Sequence, residues 1–347
     1  MTDGPRTLVS VIVPTHNRAH LLIGALDSVW AQTYRPIELI VVDDGSTDNT
    51  RAAVEAWQSA HCSDDRFTLE YVAQENRGPA VARNRGLTLS RGEYVQFLDS
   101  DDRLHPEKLA AQAYVLDGAP QFDAVVARVA FLDAMGRNGW ISEIPGRQGD
   151  EELACFLCIN DVPIHAPLHR RQLVAQSGGF DESLLHSEDV DLHFRLALAG
   201  ARFGFMSEVL AWILHRADRA RVSRRLSAAG PDFERDFYLR LLACGVRQGT
   251  ATPALRQALA ERLVLIARRY YGSLRPRTAR ACLEAAREVW PDSRPFPLRL
   301  YLSPGGSALG VVAEASIRVL RSARRGLLAA LRMSVGSRGH VSLVGGL

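Results

Sequence analysis

Lysine is almost missing from this chain: Lys108 is the only one among 347 residues, so positive charge is carried by arginine. Cysteine is scarce too. Cys62, Cys155, Cys158, Cys244 and Cys282 make an odd, scattered set, which suits a reducing compartment and excludes a disulfide framework. Cys155-x-x-Cys158 lacks a second Cys/His pair at ligand spacing, so it reads as two half-buried thiols on an amphipathic helix rather than half a zinc site. No apolar run reaches the length of a membrane-spanning helix, about 18 residues or more. The opening "MTDGPRTLVSVIVPTHNR" lacks a basic start, a long apolar middle and a cleavage site, so no signal peptide is expected. No Gly-x-Gly-x-x-Gly follows the first strand, where "PTHNRAH" stands instead; this argues against a dinucleotide-binding oxidoreductase. No nucleic-acid recognition motif accompanies the arginines, so no nucleic-acid partner is expected. No internal repeat is present.

What is present is an ordinary globular composition, 47% hydrophobic and 23% charged. The net charge of +3 hides an asymmetry. From Ala217 onward there are 23 arginines and nine acids, a surplus of +14, so the first 216 residues carry −11. Two regions are expected, 1–216 and a basic, mainly helical 217–347, the second meeting something anionic.

Up to about residue 130, strands and helices alternate. "LVSVIVP" (8–14), "IELIVVDD" (37–44), "RFTLEYVA" (66–73) and "YVQFLD" (94–99) read as buried strands. Helical patterns lie between them, and Pro106–Leu116 and 123–132 continue the alternation. Such a pattern predicts a mainly parallel sheet with helices on both faces. Its ligands bind beyond the carboxyl ends of the strands. Strand one ends in Pro14-Thr15-His16-Asn17, strand two in Asp43-Asp44, and strand four in Asp99-Ser100-Asp101-Asp102. Three polar clusters on one edge point to a crevice with chemistry.

In an extended segment, residues two apart point the same way. Asp99 and Asp101 should therefore converge on a hard divalent cation, Mg²⁺ or Mn²⁺, with Asp102 turned toward the loop or the helix beginning at Pro106. Asp44, with Thr15 and Asn17, suits contact with a base or ribose. Arg77, Arg83 and Arg85 flank a glycine-rich helix start and suit a diphosphate. Residues 133–180 are less regular. His165, His169, Trp140 and Asp161 are candidate acceptor contacts there. "GGFDESLLHSEDVDLHFRLALAG" (178–200) predicts a helix with Ser187 as N-cap and Gly200 as C-terminal cap. Glu188 and Asp189 fall in its first turn, where an ionised carboxylate is stabilised and suits a general base. Residues 202–216 read as paired strands.

Taken together, "VSVIVPTHNRAHLLIGALDSVWAQTY", "ELIVVDDGSTDNT", "NRGPAVARNRGL", "GEYVQFLDSDD" and "GGFDESLLHSEDVDLHFRLALAG" resemble family-two glycosyltransferases of the GT-A fold. The resemblance spans about residues 8–216, with the motifs in the family's order. It implies a Rossmann-like mixed sheet, divided into a nucleotide-sugar half (1–130) and an acceptor half (131–216). It also implies a UDP-, GDP- or dTDP-linked sugar donor and inversion at the anomeric carbon. The acceptor would be a glycan or lipid-linked glycan in cell-surface polysaccharide or glycoconjugate biosynthesis. The family's nucleotide contacts map onto Pro14, Thr15, Asn17, Asp43 or Asp44, and Arg83. Its metal motif maps onto Asp99-Ser100-Asp101, with Asp101 the direct ligand and Asp99 shared with the donor. Its base motif maps onto Glu188-Asp189, with Asp189 favoured. One departure stands out. Relatives often carry aromatic-Arg-x-His after the last strand, whereas this chain has Trp212-Ile213-Leu214-His215. His215 is thus a metal or diphosphate ligand, or else a capping or core histidine.

The resemblance fades after about residue 217. Between Ser307 and Met333 an apolar helical face opposes an arginine-rich one, suited to packing within the chain or to an anionic membrane surface. The expected location is the cytoplasm, with peripheral contact at the inner face of the cell membrane. Two alternatives from other classes remain. A noncatalytic nucleotide-sugar-binding module would lack turnover. A receiver-type phosphoacceptor domain would want a lysine at a later strand end, and Lys108 falls in a helix instead.

Overall fold

The computed structural model describes residues 7–61, 65–133, 137–144, 153–160, 162–184, 186–215, 232–273 and 275–291. The chain divides into two units, residues 1–233 with 239–258, and residues 234–238 with 259–347. The amphipathic stretch Ser307–Met333 lies outside the described residues.

The first unit is a mixed sheet. Strands β1 (Val9–Thr15), β2 (Ile37–Asp43), β3 (Phe67–Ala73) and β4 (Tyr94–Phe97) run parallel, in the spatial order β3-β2-β1-β4. Every residue of β1, β2 and β4 is buried, as expected for strands covered on both faces. Helices α1 (Ala19–Trp30), α2 (Thr50–His61) and α3 (Pro79–Leu89) supply the crossovers. Gly86 of α3 lies so close to β1 that a Cβ there would overlap the Ile12 side chain. The glycine lets α3 settle directly on the sheet.

Beyond β4 the order becomes β8-β6-β9-β5. Here β5 is Arg103–Leu104, β6 Ala124–Asp133, β8 Pro167–Arg170 and β9 Phe203–His215, and β7 (Asn138–Ile141) pairs with β6. Strand β8 runs antiparallel to both β4 and β6, while β6 and β9 are parallel. The antiparallel insertion has one consequence for function. The residues just before β8 lie at the same edge as those that follow β4.

Helix α4 (Lys108–Gly118) packs on β6 and β8. Its Lys108 is fully buried, bonding Gln112 and donating to the Ala166 carbonyl at 3.1 Å. The lone lysine is thus a core element. The stretch read as irregular contains β7, α5 (Leu153–Ile159), β8 and α6 (Arg171–Gln176). Residues 203–215 form one long strand rather than a pair, its register to β6 shifting near Arg128. Helix α7 (Glu188–Leu198) starts where expected, but Ser187 adopts a left-handed conformation and caps nothing with its side chain. At the other end Gly200, with φ +86°, donates to Ala197 and turns the chain out of the helix.

Helices α8 (Phe233–Arg247), α9 (Pro253–Gly272) and α10 (Pro276–Val289) follow. Among the described residues no helix is long and apolar enough to cross a membrane.

Candidate active site

The site forms around the segment leaving β4. Leu98 still donates to Ile12 of β1, but the chain then turns instead of staying extended. The Asp102 N–H donates to the Asp99 carbonyl at 3.1 Å. A turn of this kind brings its first and fourth residues together. Asp99 and Asp102 therefore converge, where alternation along an extended segment predicted Asp99 and Asp101. His165, in the turn that leads into β8, joins them: ligand atoms of Asp99, Asp102 and His165 lie within 4.8 Å of one another. Asp101 points elsewhere and pairs with Arg18 at 2.8 Å.

Asp102 is only 2% exposed. Its Oδ1 accepts the Leu214 N–H at 2.9 Å, which fastens the turn to the end of β9. His215 follows on that strand opposite Asp133; its side chain lies outside the described residues. Arg103 secures the turn from behind, donating to the Asp102 carbonyl at 2.8 Å and lying where a Cβ on Gly24 of α1 would sit.

Arg83 connects the turn to α7. It projects from α3 and is 5% exposed. One nitrogen donates to Asp99 Oδ1 at 2.7 Å and another to Glu188 Oε1 at 2.6 Å. Burial disfavours its charge, yet the two carboxylates outweigh burial and hold it protonated. Burial likewise pushes Asp99 upward, but Arg83, His165 and Arg18 together hold it below its ordinary value. Burial drops His165 to about 4 despite nearby Asp99 and Asp101, so its imidazole is neutral near pH 7, the ligand-competent form. Both its ring nitrogens are buried without a hydrogen-bond partner.

Glu188 and Asp189 separate in role. Glu188 is buried and committed to Arg83. Asp189 is half-buried, and its Oδ1 accepts the Val190 N–H at 2.9 Å in the first turn of α7. Asp191, the third acid of that turn, is held by Arg195 at 2.7 Å and Arg240 at 3.1 Å.

The ends of β1 and β2 are bound to the loops that follow the neighbouring strands, β2 and β3. Asp44 accepts the Arg77 and Gly78 N–H groups at 2.9 and 2.8 Å and the Gln74 amide at 2.8 Å, so it anchors the start of α3. Asp43 accepts the Ser46 N–H at 2.8 Å and the Tyr71 hydroxyl. Asn17, with φ +52°, accepts N–H groups of Thr47 and Asp48 at 2.7 and 3.2 Å. Pro14 is buried against Val42, and Thr15 is buried with its hydroxyl unpartnered. Of the three flanking arginines only Arg83 enters the cluster; Arg85 is exposed, and Arg77 faces Glu182 at 3.7 Å. His169 is fully buried and stacks on His193, which makes it a packing residue rather than an acceptor contact. Trp140 is 55% exposed and stacks on Phe131. Asp161 lies outside the described residues.

Carboxylate oxygens joined by an unpartnered neutral imidazole are the donor set a divalent cation accepts, so the residues present fit such an ion. Arg18 was not legible as a site residue, while the sequence turned Asp102 away from the cation and read His165 as an acceptor contact. Arg18 and Asp102 sit inside the quoted motifs but carry no pattern that sets them apart, and His165 arrives only through the antiparallel strand.

Residues 10–172 match the family described as Glycosyl transferase family 2. An uncharacterized glycosyltransferase of Rickettsia typhi is 32% identical over 211 residues, covering 58% of this chain and 62% of that protein. The succinoglycan biosynthesis protein ExoU of Rhizobium meliloti is 30% identical over 244 residues, 66% of each. The chain thus spans less than two thirds of these relatives' lengths. Among solved structures, S. aureus TarS 1–349 in complex with UDP-GlcNAc superposes with TM-score 0.63 at 23% identity, over 92% of each chain. The mannosyltransferase PcManGT from Pyrobaculum calidifontis, in complex with GDP-Man and Mn²⁺, gives 0.56 at 23% identity, over 90% of this chain and 86% of that one. With the family's motifs in order, its sequence match and its architecture, residues 10–172 belong to glycosyltransferase family 2, and the chain has the GT-A fold.

Proposed function

We propose that this chain transfers a sugar from a nucleotide-sugar donor to a hydroxyl of a glycan or lipid-linked glycan, with inversion, in cell-surface polysaccharide synthesis. The observation that carries the reading is Arg83, which ties Asp99 to Glu188 at 2.7 and 2.6 Å. Two acidic motifs about ninety residues apart in the chain thereby share one centre. The solved relatives with UDP-GlcNAc, and with GDP-Man and Mn²⁺, support a nucleoside diphosphate leaving group. Arginine-rich 217–347 would meet an anionic surface such as that of a membrane carrying the acceptor.

Asp99, with the adjoining Asp102 and His165, would hold Mg²⁺ or Mn²⁺, and Asp101 would join them only on leaving Arg18. Such an ion supplies neutralisation of charge developing on the diphosphate. The chain's own groups do the rest. Asp44 and Asn17 shape this edge of the sheet, their carboxylate and amide fixing the loops after β3 and β2. Glu188, pinned by Arg83, fixes the first turn of α7. Asp189, beside it, takes the proton of the acceptor hydroxyl as that oxygen attacks the face of the sugar opposite the leaving group.

The test is a panel of UDP-, GDP- and dTDP-sugars with Mn²⁺ or Mg²⁺, following nucleoside diphosphate release with acceptor present. Asp189→Asn should lower kcat by about 10²–10⁴ with little change in donor KM. The absence of metal-dependent release with any of these donors would favour a noncatalytic binding module. Full activity in both Asp101→Ala and Asp189→Ala would overturn the residue roles.

A further inference from the structure

His165 reaches the acidic turn from the short connection into β8. That connection is closed by the Ala166 N–H, which donates to the Pro163 carbonyl at 2.9 Å. Gln96 of β4 donates to the His165 carbonyl at 3.3 Å. Lys108 and Gln112 of α4 donate to the Ala166 carbonyl at 3.1 and 2.9 Å. The backbone around the histidine is thus fixed, partly by the chain's only lysine. The imidazole is 3% exposed, and neither ring nitrogen has a hydrogen-bond partner. Its Nε2 stands 3.7 Å from Asp102 Oδ2, beyond hydrogen-bond reach. The two carboxylates beside it are themselves anchored through Oδ1, Asp102 by the Leu214 N–H and Asp99 by Arg83. A buried polar atom with nothing to bond is costly, and here it is aimed at two anchored acids.

We propose that His165 is a nitrogen ligand of the cation and makes the site select a first-row transition-metal ion, Mn²⁺ of the two named above, over Mg²⁺. This rests on the reading that the Asp99 turn holds the donor's cation. On an ion with bonds of about 2.1 Å, adjacent ligands stand about 3.0 Å apart and opposite ones about 4.2 Å. The 3.7 Å between Nε2 and Asp102 Oδ2 lies inside that span, so small side-chain shifts admit an ion. Binding through Nε2 leaves the ring proton on Nδ1 and gives Nε2 the partner that no described residue gives it. The nitrogen then decides the metal. Mg²⁺ dehydrates reluctantly, keeps several waters and takes one or two carboxylates beside phosphate oxygens. Imidazole suits transition metals, whereas carboxylate and water suit Mg²⁺. With the histidine backbone fixed, Mg²⁺ must either exchange a water for nitrogen or leave the imidazole unsatisfied. Mn²⁺ takes nitrogen and oxygen together, so the same carboxylates hold it more tightly.

Mn²⁺ binding to the full chain, followed by electron paramagnetic resonance with Mg²⁺ as competitor, tests this in wild type, His165→Asn, His215→Gln, Asp99→Asn and Asp102→Asn. Wild type should prefer Mn²⁺ to Mg²⁺ by about tenfold or more, and His165→Asn, which offers oxygen in place of nitrogen, should lose most of that preference. Electron spin echo modulation from a nitrogen on the bound Mn²⁺ should appear in wild type and change when histidine nitrogen is isotopically labelled. It should vanish in His165→Asn and persist in His215→Gln. His165→Gln gives the same readings if His165→Asn does not fold, and the labelled wild type reports a histidine ligand without any substitution. Mn²⁺ bound without nitrogen modulation, and lost in Asp99→Asn, would overturn the role of His165 and leave the carboxylates as the cation site. Modulation lost in His215→Gln but kept in His165→Asn would overturn it as well. Wild-type Mn²⁺ affinity in both Asp99→Asn and Asp102→Asn would remove the cation from this turn, and the proposal with it.

Discussion

Replacing Arg83 by Met removes the connection between the acidic turn and α7 while keeping an apolar stem of similar length. The cost follows from what is left behind. Glu188 is buried and loses its 2.6 Å partner; stranding a buried carboxylate costs about 3–5 kcal/mol. Asp99 loses a 2.7 Å partner too, but its side chain is 35% exposed, so solvent screening limits that loss to under about 1 kcal/mol. The sum is about 4 kcal/mol, which for a unit of this size is a fall in Tm of about 8–16 °C. Adding Glu188→Gln removes the stranded charge. The double variant should therefore be more stable than the sum of the single changes allows, by about 2 kcal/mol. Thermal unfolding of the four proteins in the cycle measures both numbers. A Tm shift below about 3 °C for Arg83→Met, or strict additivity, would refute the view that Arg83 is the electrostatic pin of the site.

Two further outcomes concern the frame around the site. Gly86→Ala should destabilise by about 1–3 kcal/mol, because the new methyl meets the stiff Ile12 side chain and lifts α3, and Arg83 with it, off β1; an unchanged melting temperature would contradict that contact. Acid should also weaken the fold in a window set by histidine. Burial holds His193 at about 4 against an ordinary 6.5, so the unfolded chain takes up a proton that the folded one refuses as the pH falls. By pH 5 this removes about 2 kcal/mol, above the range where carboxylates contribute. Urea midpoints that stay constant from pH 7 to pH 5 would rule it out.

The alternation of apolar runs and helical patterns was enough to place β1 to β4, α1 to α4 and β6, because β-branched stretches ending at polar clusters admit few other readings. It also placed the acids of Asp99–Asp102 and Glu188–Asp189 at strand and helix ends, where their chemistry is available. Short elements were not legible. β5 has two residues and β8 four, too few for periodicity to register, and residues 203–215 looked like two strands although they form one. The site suffered from the same blindness. Extended alternation pairs Asp99 with Asp101, but the chain turns at Asp99, so Asp99 meets Asp102, and Asp101 meets Arg18.

The sequence by itself determined the fold family and which carboxylates stand at the sheet's edge, since both follow from local pattern and order along the chain. Only the tertiary structure decided which of them face one another. That choice depends on the antiparallel β8, which delivers His165, on the long β9, whose Leu214 N–H holds Asp102, and on the buried Arg83, which joins residues 16 and 105 positions away. Pairings across such distances leave no trace in local periodicity, because they are made by packing and by the need of buried charges for partners.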